Sequence, residues 1–438
     1  MIKNDLRIYK KNTRKSEEAF KKSKKLHVNG VHHNIRFFEP YPFVTKSSKE
    51  KFLTDLDGNK YVDYWMGHWS LILGHSSKNV LNSTKKQLNN GWMHGTVSKN
   101  AIELSEKISK AVPVAEKIRY ATTGTEATMY AIRLARTATK RKTIAKIDGG
   151  WHGYTTDLLK TVNWPFHKSE SGGLTDEKYI ISLPYNDLEN SIKILKSNSN
   201  DLAAVIIEPI LGGGGCIPAT KEYLTGIEEF CHKNNTLFIL DEIVTGFRFR
   251  YGCMYNLFKL DPDIVTLGKI VGGGFPIGII CGKNEFMNYA NTSVLSKSNR
   301  AYIGGGTFSA NPLTMIAGNS TLATIKNMGN TFYRKINKFG SETRKMLDKK
   351  FNGDVITTGT GSLFLTHFLS NSITEIKNAT DAAKCNIKKL HDYHFHMIAN
   401  DEIFFMPGKL GAFSDVHSKS DIINMAKSTD KFLTKFKK

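Results

Sequence analysis

Two neighbouring stretches decide how this chain reads: Thr236–Arg248, TLFILDEIVTGFR, and Thr266–Gly278, TLGKIVGGGFPIG. Thr236 followed by the apolar run Leu237–Leu240 suits a short strand buried on both faces, and Asp241 and Glu242 stand where that strand ends. In open α/β sheets the carboxyl edge of the strands is where ligands bind. Lys269 lies among small and apolar residues, so burial would depress its pKa and leave an amine able to form an imine with an aldehyde. Taken singly, Asp241 also reads as a helix cap, and Lys269 as one more solvated lysine.

Taken together, a lysine that can form a Schiff base and an acid able to hold a protonated ring nitrogen describe a pyridoxal 5′-phosphate site. With their flanking glycines, LDEIVTGFR and TLGKIVGGGFPIG resemble the core of the class III (fold type I) aminotransferases.

Composition narrows the alternatives. A chain of 438 residues, 40% of them hydrophobic, can bury a large core and is long enough for more than one domain. No apolar run approaches the roughly 18 to 20 residues that span a bilayer, and the charged N-terminus lacks the apolar centre of a signal peptide. A soluble, cytoplasmic protein is expected, without membrane partners. The five cysteines, Cys216, Cys231, Cys253, Cys281 and Cys385, are scattered, without CxxC spacing, and suggest neither a disulfide framework nor a zinc site. The formal net charge of +22 raises nucleic-acid binding as a rival class. The lysines, however, are spread over both termini and along most expected helices (Lys85 and Lys86, Lys349 and Lys350, Lys388 and Lys389), as solvated helix faces would be, so no nucleic-acid partner is expected.

Along the chain, the first 25 or so residues are charged and predict an exposed helix or frayed arm. Gly30–Phe43 is aromatic, proline-bearing and extended, and Phe52–Tyr64 alternates about Asp57-Gly58 as a hairpin does. Helices are expected near Ser77–Asn89 and Asn100–Lys110. Strand candidates follow at Lys117–Ala121, Thr143–Ile147, Ala203–Ile207, Leu237–Leu240, Ile264–Leu267 and Ile277–Cys281, with helices such as Glu126–Thr137 and Tyr223–Lys233 between them. This is the pattern of a mostly parallel, doubly wound sheet. A long helix over Asn311–Asn327 then leaves the sheet, and a strand at Ser362–Phe368 and a helix at Thr380–Ile398 read as a smaller α+β part. The expected organisation is an N-terminal arm and hairpin over 1–70, belonging to a small domain, a large domain over 71–315, and a C-terminal small α+β domain over 316–438.

Four further stretches carry chemistry. Ala121–Arg136, ATTGTEATMYAIRLAR, places Gly124 and Thr125 at a strand-to-helix turn, where free backbone amides and the helix dipole favour a phosphate; an N-cap with a capping carboxylate is the plainer reading of the same letters. Trp151, in GGWHGYTTD, offers a flat apolar face to a flat heterocycle, and His152 adjoins it, either as a structural histidine or as part of the site. Glu208, in IIEPILGGGGCIP, stands at another strand end, before Gly212–Gly215. GGGTFSANPL carries Gly306 and Thr307, which read locally as a glycine turn opening a helix.

The family resemblance covers nearly the whole chain from about Gly30 and is closest to the glutamate-1-semialdehyde 2,1-aminomutases. It implies a fold type I architecture, with a large domain built on a seven-stranded-type, mostly parallel sheet and a smaller α+β domain from the chain termini. It makes Gly124–Thr125 the phosphate turn, Trp151 the ring-stacking aromatic and Glu208 a carboxylate close to the cofactor. It also implies a homodimer with active sites at the interface, where Gly306 and Thr307 complete the partner subunit's phosphate site. GVHHNIRFF lies on the aminomutase segment GVNSPVR, which puts Arg36 on the residue that receives the substrate carboxylate. GHWSLILGH lies on GSWGPMILGH, which puts Trp69 in the substrate pocket.

The implied reaction is amino transfer between a small-molecule amino donor and an oxo acceptor through a Lys269 Schiff base, with Asp241 keeping the ring nitrogen protonated. The chain departs from the ornithine- and γ-aminobutyrate-type relatives at Gly213, where they carry a glutamate. It departs from the aminomutases in two places. Thr155–Ile180 shares little with their Gly-, Ser- and Pro-rich lid and has Trp164 and Phe166 there, and Lys409 in MPGKLGAFS stands where they have a glutamate. A water-excluding lid serves an enzyme that must retain its intermediate, so these departures favour an aminotransferase acting on two separate substrates, with the 2,1-aminomutase as the alternative.

Overall fold

The computed structural model describes residues 3–166, 177–370 and 373–436. The chain forms two compact units, one of residues 78–333 and 376–383, the other of residues 1–77, 334–375 and 384–438.

The larger unit is built on a seven-stranded sheet whose strands are β1 (Lys117–Ala121), β2 (Thr143–Ile147), β3 (Ile180–Leu183), β4 (Leu202–Ile207), β5 (Leu237–Asp241), β6 (Ile264–Gly268) and β7 (Gly278–Gly282). Their order is β1-β7-β6-β5-β4-β2-β3, and β7 alone among them runs antiparallel to its neighbours. Strands β2, β4, β5, β6 and β7 are buried at every residue, as near-continuous Val, Ile, Leu and Ala runs require when helices cover both faces. The helix Gly124–Thr139 lays Ala127, Ala131, Ile132, Leu134 and Ala135 against the sheet; its small residues let helix and strands approach closely. The expected strands are present to within a residue at each end. Strand β3 was not expected: its letters, IISL, are too short a run to separate from a loop without its parallel partner β2.

The parallel strands all run the same way, so their carboxyl ends share one edge. The residues that follow those ends, Thr122–Thr125, Asp148–His152, Glu208, Glu242 and Lys269, are therefore brought to one side by topology alone.

The smaller unit holds a four-stranded sheet, ordered Thr45–Lys49, Phe52–Asp55, Lys60–Asp63, Ile403–Phe404, and a three-stranded one, ordered Val355–Thr358, Leu363–Phe368, Gly411–Ala412. The hairpin expected about Asp57-Gly58 is present. Its Asp57 also starts a helix: the carboxylate accepts the N–H groups of Lys15 (2.8 Å) and Ser16 (3.0 Å), two first-turn donors that have no partner within a helix.

The N-terminal arm is a correction to the reading of an exposed or frayed segment. It forms two helices, Lys3–Asn12 and Arg14–Leu26, with Asp5, Tyr9, Ser16 and Phe20 buried. The apolar stripe is too narrow to stand out among the lysines, and much of what it buries is polar. Two other extents differ. The long helix starts at Pro312, runs to Phe351 and breaks at Gly329, where φ is 62° and ψ −158°, and the division between the units falls within it. The helix expected over Thr380–Ile398 is two, Ala379–Ala383 and Ile387–Asp401, because Asn386 turns its side chain to accept Lys389 N–H (2.9 Å) and starts the second. All five cysteines are free and buried, and among the described residues no helix is long and apolar enough to cross a membrane.

Asp5 illustrates what holds the arm. Its carboxylate, fully buried, accepts from Asn400 (2.9 Å) and Lys435 (2.8 Å) and is bonded to His396 Nδ1 (3.0 Å). Burial raises the pKa of this carboxyl, but His396, Lys435 and Asn400 outweigh it and hold the value down at about 2. The folded value lies below the ordinary 3.8, so the stabilisation is present above about pH 4 and is lost as pH falls toward 2. Asp5→Ala should cost about 3 kcal/mol at neutral pH, the usual cost of leaving a buried partner uncompensated, and should lose less near pH 2.5. Chemical denaturation of both proteins at the two pH values checks this; an equal loss at both would remove the ionic explanation.

Candidate active site

At the carboxyl edge of β5 the strand ends in Asp241, which is held from three sides. Ile243 N–H (3.1 Å) and the Thr266 hydroxyl (3.0 Å) donate to Oδ1, while His152 Nδ1 bonds Oδ2 at 2.8 Å. Thr266 reaches it because β5 and β6 pair in parallel with Asp241 opposite Thr266. No helix starts after Asp241, so its role is not that of a helix cap. A carboxylate only accepts, so His152 carries its proton on Nδ1, and burial, opposed by Asp241, keeps the ring neutral by lowering its pKa. The other nitrogen, His152 Nε2, is buried with no hydrogen-bond partner among the described residues. Thr128 fixes the ring's own backbone by donating to His152 O at 2.6 Å.

Lys269 opens the turn that follows β6, with φ at 49°. Burial lowers its pKa; the charge of Arg248 works in the same direction, and Asp241 and Glu208 oppose it. Glu208, one residue past β4, is buried and accepts Trp151 N–H (2.8 Å) and Gly212 N–H (3.2 Å). Burial and then the negative charge of Asp241 raise its pKa to about 8, against the pull of the two amides and Lys269. The edge thus gathers one depressed amine and two carboxylates. Trp151 stands half-buried beside them, with Tyr154 edge-on to its ring at 4.8 Å between centroids.

The β1 turn satisfies the plainer reading and leaves room for the other. Thr123 and Glu126 form a reciprocal capping box: Glu126 Oε2 accepts Thr122 N–H (2.8 Å) and Thr123 N–H (2.9 Å), and Thr123 Oγ1 accepts Glu126 N–H (3.2 Å). The N–H groups of Gly124 and Thr125 remain in the first turn, where a helix supplies no acceptor. Thr125 Oγ1 accepts Tyr154 N–H at 3.3 Å, and Gly153, at φ 91°, packs so close that a Cβ there would strike Thr125. Gly306 and Thr307 are exposed, and a Cβ at Gly306 would lie 3.3 Å from Thr122 Oγ1, so this segment lies against the same turn of its own chain.

All of these residues belong to the larger unit. Arg36, Trp69 and Lys409 belong to the smaller one. Arg36 is exposed on the turn Asn34–Arg36; Trp69 is buried, with φ at 65° and its indole N–H on Leu410 O (2.9 Å). Lys409 is half-buried, lines a small cavity with Leu347, Phe364, Tyr393, His394 and Met425, and has its pKa lowered by burial. Within the stretch compared with a lid, Trp164 and Phe166 meet edge to face at 5.6 Å, and residues 167–176 lie outside the described ones.

A sequence profile of the class-III aminotransferases matches residues 37–393. The chain belongs to the class III aminotransferase family. A glutamate-1-semialdehyde 2,1-aminomutase of Methanococcus maripaludis is 34% identical over 418 residues, covering 93% of this chain and 95% of that protein. Among solved structures, an omega-transaminase from Sphaerobacter thermophilus superposes with a TM-score of 0.86 at 25% identity, covering 96% of this chain and 97% of that one. A transaminase with pyridoxal phosphate bound superposes with a TM-score of 0.85 at 26% identity, covering 97% and 99%. This aminotransferase is thus a fold type I, pyridoxal 5′-phosphate-dependent enzyme.

The residues fit that cofactor: a half-buried lysine of lowered pKa, a fixed carboxylate, first-turn amides at a helix start and a half-buried indole meet at one edge. The sequence reading missed Thr266 and Thr128, which steady Asp241 and His152. Their signal lies in the strand register and in a hydroxyl one helical turn past Gly124.

The raised value of Glu208 has a consequence for the aminotransferase freed of cofactor. Its pKa in the folded chain, about 8, exceeds the ordinary 4.5, so folding stability is greatest below about pH 4.5 with respect to this group and declines as pH rises toward 8. Glu208→Gln should flatten that decline. Thermal unfolding of the cofactor-free chain between pH 5 and 8 measures it, and parallel profiles for the two proteins would refute the assignment.

Proposed function

We propose that this chain moves an amino group between a donor amine and a separate oxo acceptor, with Lys269 as the residue that binds pyridoxal 5′-phosphate covalently. The observation that carries the reading is the amine of Lys269, of lowered pKa, at the same edge as Asp241. Bound cofactor supplies an electron sink for the pair left behind when a proton leaves the amine-bearing carbon. The protein's share is to hold and to move protons. Asp241, fixed by Thr266, Ile243 and His152, keeps a proton on the pyridine nitrogen. Lys269 Nζ, whose charged form burial disfavours, would take the proton from the amine-bearing carbon as general base and give it up again as general acid. Gly124 N–H and Thr125 hold the phosphate, and Trp151 covers the ring.

Arg36 receives a substrate carboxylate, Trp69 contacts the substrate, and Lys409 favours a substrate with a further anionic group. The enzyme acts as a homodimer in the cytoplasm, and Gly306 and Thr307 serve the partner subunit's phosphate site. In support of a dimer, the larger unit exposes large apolar side chains, Trp92 at 60%, Val97 at 86%, Tyr302 at 76% and Phe308 at 62%. The similarity to a 2,1-aminomutase over 95% of that protein favours the intramolecular reaction as the second reading, in keeping with the sequence resemblance around Arg36 and Trp69.

Borohydride reduction of the holoenzyme followed by peptide mapping should label Lys269, and Lys269→Ala should abolish the label; a label on another lysine overturns the site. Incubation with glutamate 1-semialdehyde alone should form little 5-aminolevulinate. Efficient formation without any added donor or acceptor would establish the aminomutase instead.

A further inference from the structure

We propose that Lys146 is a positioning residue of the cofactor site, whose side chain fixes the peptide that carries Trp151 and His152 and latches the stretch Thr155–Ile180 onto it. The proposal rests on the roles of Trp151 and His152 given above. β2 lies inside the sheet, with Lys146 opposite Ser182 of β3 on one side and Ile206 of β4 on the other. The strand, TIAKI, is buried throughout, and Lys146 is 0% exposed, the only lysine buried to that degree among the described residues. An ammonium is costly to take out of water without acceptors, and the carbonyls that Lys146 reaches define its task.

Lys146 Nζ donates to Gly150 O at 3.0 Å. That carbonyl and the N–H of Trp151 belong to one planar peptide unit, and the N–H donates to Glu208 Oε1 at 2.8 Å. The unit is therefore held at both ends, by a side chain from β2 and by one that follows β4. The Trp151 Cα lies in the plane so fixed, and the base of the indole is set with it. His152 rests on the same unit: a Cβ at Gly150 would lie 3.1 Å from His152 Nε2. Burial lowers the His152 pKa against the pull of Asp241, and the charge of Lys146 acts with burial to keep the ring neutral beside the carboxylate it serves.

Lys146 Nζ also donates to Lys160 O, at 2.6 Å. Beside it Gly149 N–H donates to Thr161 O at 2.8 Å, so the turn after β2 grips two consecutive residues of the stretch that follows. Lys160 extends the connection: its Nζ donates to Ile180 O at 2.9 Å, which closes the stretch at its base, where β3 begins. Phe166 packs on the turn as well, its ring 3.7 Å from where a Cβ of Gly149 would stand. One ammonium thus meets both the peptide behind Trp151 and the base of this stretch. Because the donor is charged, each of these bonds is stronger than a neutral side chain would supply.

Hydrogen exchange in the cofactor-free chain, paired with the visible circular dichroism of bound pyridoxal 5′-phosphate in the holoenzyme, tests this. Lys146→Met keeps the apolar stem and removes the donor. It should speed exchange of the Gly149 and Trp151 amides about tenfold, the loss of a hydrogen bond from a charged group, while the amides of β5 keep their parent rates. It should also lower the visible dichroism in the direction that Trp151→Ala does. Lys146→Gln, which restores an N–H donor without the charge, should bring both readouts part of the way back. Trp151→Ala separates the two levels. If its bound cofactor shows the dichroism of the parent, the indole does not cover the ring, and the inference falls with that assignment. If Trp151→Ala lowers the dichroism while Lys146→Met does not, only the role of Lys146 is overturned. Exchange in Lys146→Met that is faster by the same factor at the turn and in β5 would mark a general loss of stability and likewise overturn it.

Discussion

The structure depends on keeping a half-buried lysine and two buried carboxyl groups together at one edge of the sheet. An isolated buried charge is too costly to retain, so each group answers the others: burial lowers Lys269, burial and Asp241 raise Glu208, and each carboxylate pulls the lysine back toward its charged form. The result is an amine that gives up its proton readily and a fixed negative charge on Asp241. That pairing needs a rigid backing, because small displacements of buried charges are expensive.

The backing is the sheet. Parallel strands deliver their carboxyl ends to one edge, so residues far apart in the chain converge there. Register does the finer placement, bringing Thr266 of β6 opposite Asp241 of β5 and letting the turn after β2 hand Trp151 N–H to Glu208. Close approach does the rest. Gly278, at the head of the antiparallel β7, lies against the carbonyl of Thr123, where any Cβ would collide, and this keeps β7 tight against the turn after β1.

The smaller unit solves a different problem with aromatic packing. Tyr64 lies parallel to Phe405 at 4.9 Å and beside His417, while Phe351, Phe368, Tyr393 and Phe432 form a second cluster. Rings of this size bury much surface with few rotamers to fix, so short strands of two to six residues suffice to order the unit.

Much of this was legible in the letters. Continuous apolar runs of strand length, each ending in a polar or glycine-rich turn and alternating with helical stretches, point to a buried parallel sheet, and the Asp241 and Lys269 motifs point to the cofactor. The burial of the N-terminal helices and the strand β3 were not legible, because each depends on a partner distant in sequence: Asp5 on His396 and Lys435, β3 on β2, the arm's second helix on Asp57. A sequence determines which groups exist and which local backbone they prefer. Which of them share a dielectric environment is set only when the chain closes on itself, and that burial decides whether a lysine is an amine or a cation.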